Sequence, residues 1–338
     1  MKSCRKIVAS RYHISRFHRT AIAVGFITSL FPAIPVQAQL TPAEINNFRN
    51  ALGNRIEAAT ILGGDYGIGG GTYTATANGN DAKINTTKFG GSGEVGTPQP
   101  LGDLDIGWQP RVQGSMGYLT AKNNFQSGLL DDDTSEYRTF AIQFGGGARF
   151  WFSDHFSIAP TVMGMYGHTE NTFTARNTFT PSDLTEAKQL GLIDWSVDTW
   201  TVRPSLNLQY QYTWRRVIFT LSSEPTYYYT ESFNSSSANL NVAGNSEAWD
   251  NKLDVDVPLG VELFGHELRT GGYFSRTDLN GDLKEGLDTS YLYETHGRLV
   301  LDFLNQLWKV QWIGLGGSYF WGNDFHGWSF GADVTFRF

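Results

Sequence analysis

Period-two alternation, held over runs longer than ordinary strands, constrains this chain more than any other of its features. In the final segment Trp328, Phe330, Ala332, Val334, Phe336 and Phe338 fall on one side, and Gly327, Ser329, Gly331, Asp333, Thr335 and Arg337 on the other. Successive side chains of a strand point to opposite faces, so one face here is wholly apolar. Trp200 to Tyr212 and Leu253 to Leu263 alternate in the same way. So do Arg138 to Phe152, Phe156 to His168, Val217 to Thr230, Leu268 to Thr277, Tyr291 to Phe303 and Trp308 to Trp321, with weaker runs at Gly69 to Ala77, Lys83 to Phe89 and Arg111 to Ala121. The strongest runs exceed the usual five or six residues, as strands tilted across a bilayer must.

The connections give a second test, because outer-membrane barrels alternate short periplasmic turns with long outward loops. Short turns are read at Ser153 to His155, Trp214-Arg215, Phe264 to His266 and Leu304 to Leu307, and long polar connections at Lys122 to Ser135, Glu170 to Val197, Glu231 to Glu247 and Asp278 to Ser290. Two places break the parity: Gly322 to Phe325 is short where an outward loop belongs, and Gly90 to Trp108 is long where a turn belongs. Aromatic clusters at Phe150 to Phe152, Tyr227 to Tyr229 and Trp308 with Trp312 suit the girdles at two membrane interfaces. The pattern predicts an all-β fold, a transmembrane antiparallel β-barrel of about twelve strands preceded by one short α-helix. A soluble β-sandwich is the competing reading, and the strand lengths disfavour it.

The first twenty residues carry six bases and no acid, and an apolar segment follows that ends at Val36-Gln37-Ala38. That order is a signal peptide with cleavage before Gln39. The expected organisation is therefore 1–38 signal peptide, 39–66 linker and helix, 67–338 barrel. Cleavage removes six of the 26 Lys and Arg and none of the 33 Asp and Glu, leaving a net charge of −13, so nucleic acid is not an expected partner. Cys4 is the only cysteine and leaves with the signal peptide, which excludes disulfides and thiolate chemistry from the mature chain. No later run reaches about 18 apolar residues, which excludes helical spans but not a barrel.

Between signal and barrel, Ile45, Phe48, Leu52, Ile56 and Ala59 recur near helical spacing, with Thr41, Pro42 and Glu44 forming the start signal and Gly63-Gly64 the stop. A capped helix holding Glu44-Ile45-Asn46-Asn47-Phe48 and Arg49, then a Gly-rich lead-in to about twelve strands closing on Phe338, resembles the translocator domain of autotransporters. The resemblance implies a helix threading the lumen, and a chain severed, in some members, at an Asn-Asn pair. Asn46 and Asn47 also read as two polar residues on the wet side of a helix, which is the plainer account. The departure from that family is the missing passenger: only about four residues separate Gln39 from the helix, so the chain looks like a solitary autotransporter-type barrel. The helix could plug the lumen or lie against the periplasmic rim. Phe338, with Phe336 on the same face, resembles the terminal signal recognised by the barrel-assembly machinery.

Inward positions carry Arg149, Arg203 and Arg298 against Glu224, Asp254, Asp256, Glu262, Asp302 and Asp333. Mixed signs favour ion pairs inside the lumen. The mature histidines His155, His168, His266, His296 and His326 have no metal-ligand spacing. Asp278, Asn280 and Asp282 have calcium-loop spacing, but Gly281 is misplaced and Thr289 stands where the bidentate Glu belongs, so a polar loop is the better reading. Asp131 to Asp133 read as a solvated loop tip, and Asp324 with His326 as a loop rather than an acid-base pair. Gly67 to Gly71 lack the third glycine and the helix of a nucleotide fingerprint. The expectation is a monomeric, non-enzymatic protein of the Gram-negative cell outer membrane, without cofactor or metal, in contact with outer-membrane lipid and lipopolysaccharide. A narrow pore or transporter comes second and an outer-membrane enzyme third.

Overall fold

The computed structural model describes residues 67–77, 80–124, 134–175, 193–237, 243–287, 289–307, 310–323 and 325–336, with isolated positions at 184–191 and at 240. The expected signal peptide, the expected helix with Asn46 and Asn47, and Phe338 lie outside the described residues, as does the side chain of Phe336.

Thirteen strands form one antiparallel sheet: β1 (Ile68–Ala77), β2 (Asn80–Glu94), β3 (Gln99–Leu101), β4 (Leu104–Asn124), β5 (Thr134–Trp151), β6 (Phe156–Thr174), β7 (Ser196–Trp214), β8 (Val217–Ser235), β9 (Ala243–Leu263), β10 (His266–Gly281), β11 (Tyr291–Leu307), β12 (Val310–Trp321) and β13 (Phe325–Phe336). β1 pairs with β13 from Ile68↔Ala332 to Ala75↔Phe325, and β2 pairs with β4, so twelve strands close into a ring and β3 only folds back on β4. The expected strand number is met. The long stretch from Gly90 to Trp108 is largely strand: β2 runs to Glu94, and β3 and the start of β4 follow after short breaks at 95–98 and 102–103. Asp278 to Ser290, read as a polar loop, is in fact the end of β10 followed by a helix, α1 (Asp282–Leu287).

Alternation sorts the side chains as the sequence requires, with the apolar set outside. Phe144 is 71% exposed and Leu315 72%, while Thr139, Thr199, Thr230 and Ser329 on inward positions are fully buried. About ten tilted residues suffice to cross the bilayer, and β4 and β9 have 21 each. The wall therefore stands well beyond the apolar band. Short turns set one end: Phe264 and Gly265 have φ of 55° and 77°, the type I′ geometry that matches strand twist. Long connections mark the other, outward end.

Two features of the wall follow from the backbone limits of single residues. Between β7 and β8 the ladder lapses on either side of Ser205↔Thr226, where Pro204 and Pro225 lack the N–H it needs. At the closing seam, Gly327 lies so near β1 that a Cβ would stand 2.6 Å from the Thr72 carbonyl oxygen and 2.7 Å from Tyr73 Cα. Gly327→Val is expected to cost about 1–3 kcal/mol through this overpacking. The loss should appear as a lower urea midpoint and a weaker folded, heat-modifiable band on a gel.

Candidate functional site

The lumen changes chemistry along its axis in three layers. At the turn end the inward residues are charged and paired. Arg149 Nε donates to Glu94 Oε1 at 3.0 Å, and its Nη1 donates to Ser157 Oγ at 2.8 Å and Gln209 Oε1 at 2.7 Å. Arg298 forks onto Asp254 with two bonds of 2.7 Å. Asp256 is held by Arg269, with Arg298 3.9 Å away. Arg203 sits deeper, its Nη1 donating to Gln143 Oε1 at 3.3 Å and its guanidinium 5.5 Å from the Tyr228 ring, with Glu224 at 4.0 Å. Paired guanidinium and carboxylate groups offset the cost of burying either alone.

The middle layer is hydroxyl-bearing. Thr139 with Thr169 (3.1 Å), Thr161 with Ser205 (2.6 Å) and Thr201 with Thr230 (2.7 Å) satisfy one another across strand pairs. β-Branched threonine suits the strand, and cross-strand pairing removes its polar cost.

At the loop end the lumen turns apolar. Tyr73, Leu119, Tyr137, Val197, Tyr228, Leu292, Phe320 and Phe325 project inward from the strands, and Trp195, Leu240, Leu283 and Leu287 are brought in by the connections to complete one cluster. Tyr73 stacks on Phe325 at 5.6 Å and meets Phe320 edge-on at 5.5 Å. α1 is anchored where β9 begins: Asn245 N donates to Asp282 Oδ2 at 2.9 Å and Leu283 N to Ser246 Oγ at 3.1 Å. Leu283 is fully buried and Leu287 nearly so.

Below this layer lies a polar cavity of about 840 Å³. It reaches the turn end at Gly67, Pro98, Gln211 and Ile218, and its far end is bordered by Tyr228, Leu292 and Phe320 of the apolar layer. Six of the nine expected lumen charges are brought together here: Arg149, Arg203, Arg298, Glu224 and Asp254 line the cavity, as does Asp256, whereas Asp302 is not among the lining residues and the side chain of Asp333 lies outside the described residues. Glu262 does not join them. It follows Gly260, whose φ is 68° beside a register shift, and it stands exposed at the turn end of β9.

His296 faces inward as expected, buried, with Nδ1 3.0 Å from Ser318 Oγ and its ring stacked on Tyr273 at 4.6 Å. His168 is outward and bonded to Asp198 at 2.7 Å, His155 contacts the Gln211 carbonyl oxygen at 2.9 Å, and His266 lies 4.0 Å from the Phe303 ring. Asp278 binds Arg276, Asn280 binds Glu247 and Asp282 holds Asn245, so the calcium-spaced residues point to three separate partners. Among the described residues no group of three His, Cys, Asp or Glu side chains is placed to hold a metal. Sequence reading missed the apolar layer, although Leu279, Leu283 and Leu287 recur every fourth residue.

Residues 99–331, more than two thirds of the sequence, match the family model described as the solitary outer membrane autotransporter beta-barrel domain. The chain belongs to this family. Solved autotransporter barrels share the fold of this solitary barrel. The transport unit of AIDA-I from Escherichia coli aligns with a TM-score of 0.56 at 10% identity, covering 89% of this chain and 100% of that one. The beta domain of Bordetella BrkA aligns at 0.51 and 13%, covering 80% and 99%. The translocator domain of NalP from Neisseria meningitidis aligns at 0.51 and 14%, covering 85% and 95%. No curated protein matches the chain in sequence. Family and closed barrel together place the solitary autotransporter barrel in the cell outer membrane.

Proposed function

We propose that this barrel is a non-enzymatic outer-membrane scaffold with a closed lumen, presenting its long outward connections as its contact surface, with the helix of residues 41–60 seated in the polar cavity from the periplasmic side. The observation that carries the reading is the apolar layer across the loop end. A constriction lined by aromatic and leucine side chains disfavours water and ions. A pore would need that layer to part. The cavity beneath it supports the seating of the helix: it opens at the end where β1 begins, and its mixed charges suit a segment that carries Glu44, Arg49, Arg55 and Glu57. The buried His296–Ser318 pair, stacked beneath Tyr273, lacks the access that a nucleophile requires.

The mature chain has no cysteine of its own, which makes a single introduced thiol a clean reporter. Asn207→Cys places one in the cavity wall. Its alkylation by a small charged maleimide is expected to be at least tenfold slower in the full mature chain than in one lacking residues 41–60. Equal rates would remove the helix from the cavity.

A further inference from the structure

The outward face of the barrel changes character abruptly at the closing seam. One hydrogen-bonded row runs Tyr319↔Trp328↔Thr72↔Asn85↔Thr120 across β12, β13, β1, β2 and β4. Tyr319 and Trp328 are about half exposed aromatics, as befits a membrane interface. From β1 onward the same row is hydroxyl and amide, with Thr72 Oγ1 donating to Asn85 Oδ1 at 3.0 Å. Polar side chains stand here where β12 and β13 present rings to lipid, and beyond Thr120 the row continues to Arg138 of β5.

One step further toward the loop end, about 7 Å along the strands, Lys83 of β2 faces Lys122 of β4 as its direct Cα partner, and both are exposed. Like charges directly opposite destabilise an antiparallel pair. Among the described residues neither lysine has an ion-pair partner. Glu136, across from Lys122 on β5, is drawn instead to Arg138, whose Nε donates to it at 2.8 Å. One step in the other direction Thr87 faces Tyr118, and one step beyond that Phe89 and Met116 restore the apolar wall, 54% and 43% exposed. Moving outward, the surface of β2 and β4 is thus apolar, then hydroxyl and amide, then doubly cationic. That is the order of acyl chain, sugar and phosphate in a phosphorylated glycolipid.

We infer that the outward face of β2 and β4 is a binding site for a phosphorylated glycolipid of the outer leaflet, with Lys83 and Lys122 clamping one phosphate and Asn85 and Thr120 meeting the sugar beneath it. An anion between the lysines removes their repulsion, and charge-assisted bonds to phosphate are the strong kind. Free phosphate would satisfy the lysines alone; the polar and apolar steps below them favour the anchored form.

The test uses the folded mature protein in detergent micelles, titrated with a bisphosphorylated diglucosamine lipid and followed by native mass spectrometry. The double variant Lys83→Gln/Lys122→Gln is expected to bind at least tenfold more weakly, and removal of the phosphates from the lipid to weaken binding to the parent protein as much. Lys83→Arg/Lys122→Arg should restore most of the affinity, and Arg276→Gln, an outward arginine paired with Asp278 on β10, should change nothing. Wild-type affinity in the folded glutamine variant overturns the inference. So does complete displacement of the lipid by equimolar inorganic phosphate, which would make this a plain phosphate site.

Discussion

Deleting residues 41–60 is expected to leave the barrel nearly silent in a planar bilayer, whereas adding Leu283→Asp and Leu287→Asp to that deletion opens steady ion-conducting steps. Both leucines lie inside the apolar layer, Leu283 fully buried and Leu287 4% exposed. Two buried carboxylates there cannot stay desolvated at neutral pH; they draw water in or push α1 out of the mouth. Either result breaks the one layer of the lumen that, among the described residues, is not already polar. The barrel wall does not depend on α1, since the ring of twelve strands closes without it, so folding can be checked separately by heat-modifiability. Large steps from the deletion alone would show that the seal is the helix and that the loop-end cluster leaks.

The second large effect concerns Asp256. Its carboxylate is 6% exposed and bonded to Arg269, itself 9% exposed, with Arg298 completing the group. Asp256→Asn removes the carboxylate between Arg269 and Arg298, which keep Glu267 and Asp254 as their other acidic partners. Breaking a buried pair by removing one partner costs roughly 3–5 kcal/mol where the remaining charge is left uncompensated, and these second partners bring the expected cost to the lower end of that range. The urea midpoint of the refolded protein should fall accordingly, while Asp278→Asn, which breaks an exposed pair on the outer face, leaves it unmoved. A midpoint unchanged by Asp256→Asn would mean that water in the cavity already screens the cluster.

The wall was legible in the residues because each strand carries its own instruction. In Trp328 to Ala332, or Trp200 to Tyr210, the side of the sheet is written locally by alternation, and lipid on one face makes a register slip costly. Inward charges were legible for the same reason, since Arg149, Asp254 and Arg298 fall on the parity opposite to rings and aliphatics. Glu262 escaped because parity is counted without bulges, and Gly260 inserts one. The apolar layer escaped for a different reason. Trp195, Leu240, Leu283 and Leu287 belong to connections whose composition is polar overall, and their meeting depends on three separate connections converging on one mouth, which no local pattern records. The lysine pair needed the register itself: Lys83 and Lys122 are far apart in sequence and become neighbours only once β2 is laid against β4.

The seam between β1 and β13 joins Ile68 to Ala332, nearly the two extremes of the barrel sequence. Every other strand pair in the ring joins strands that follow one another in chain order, or, for β2 and β4, are separated by the short β3 alone, so the sheet can grow hairpin by hairpin while this one contact waits. Until it forms, two edges with unpaired backbone groups remain open to other chains. Contacts of such separation are slow to make. The moment of danger for this protein therefore comes late, when a nearly complete curved sheet has to find its own beginning before it finds a neighbour's.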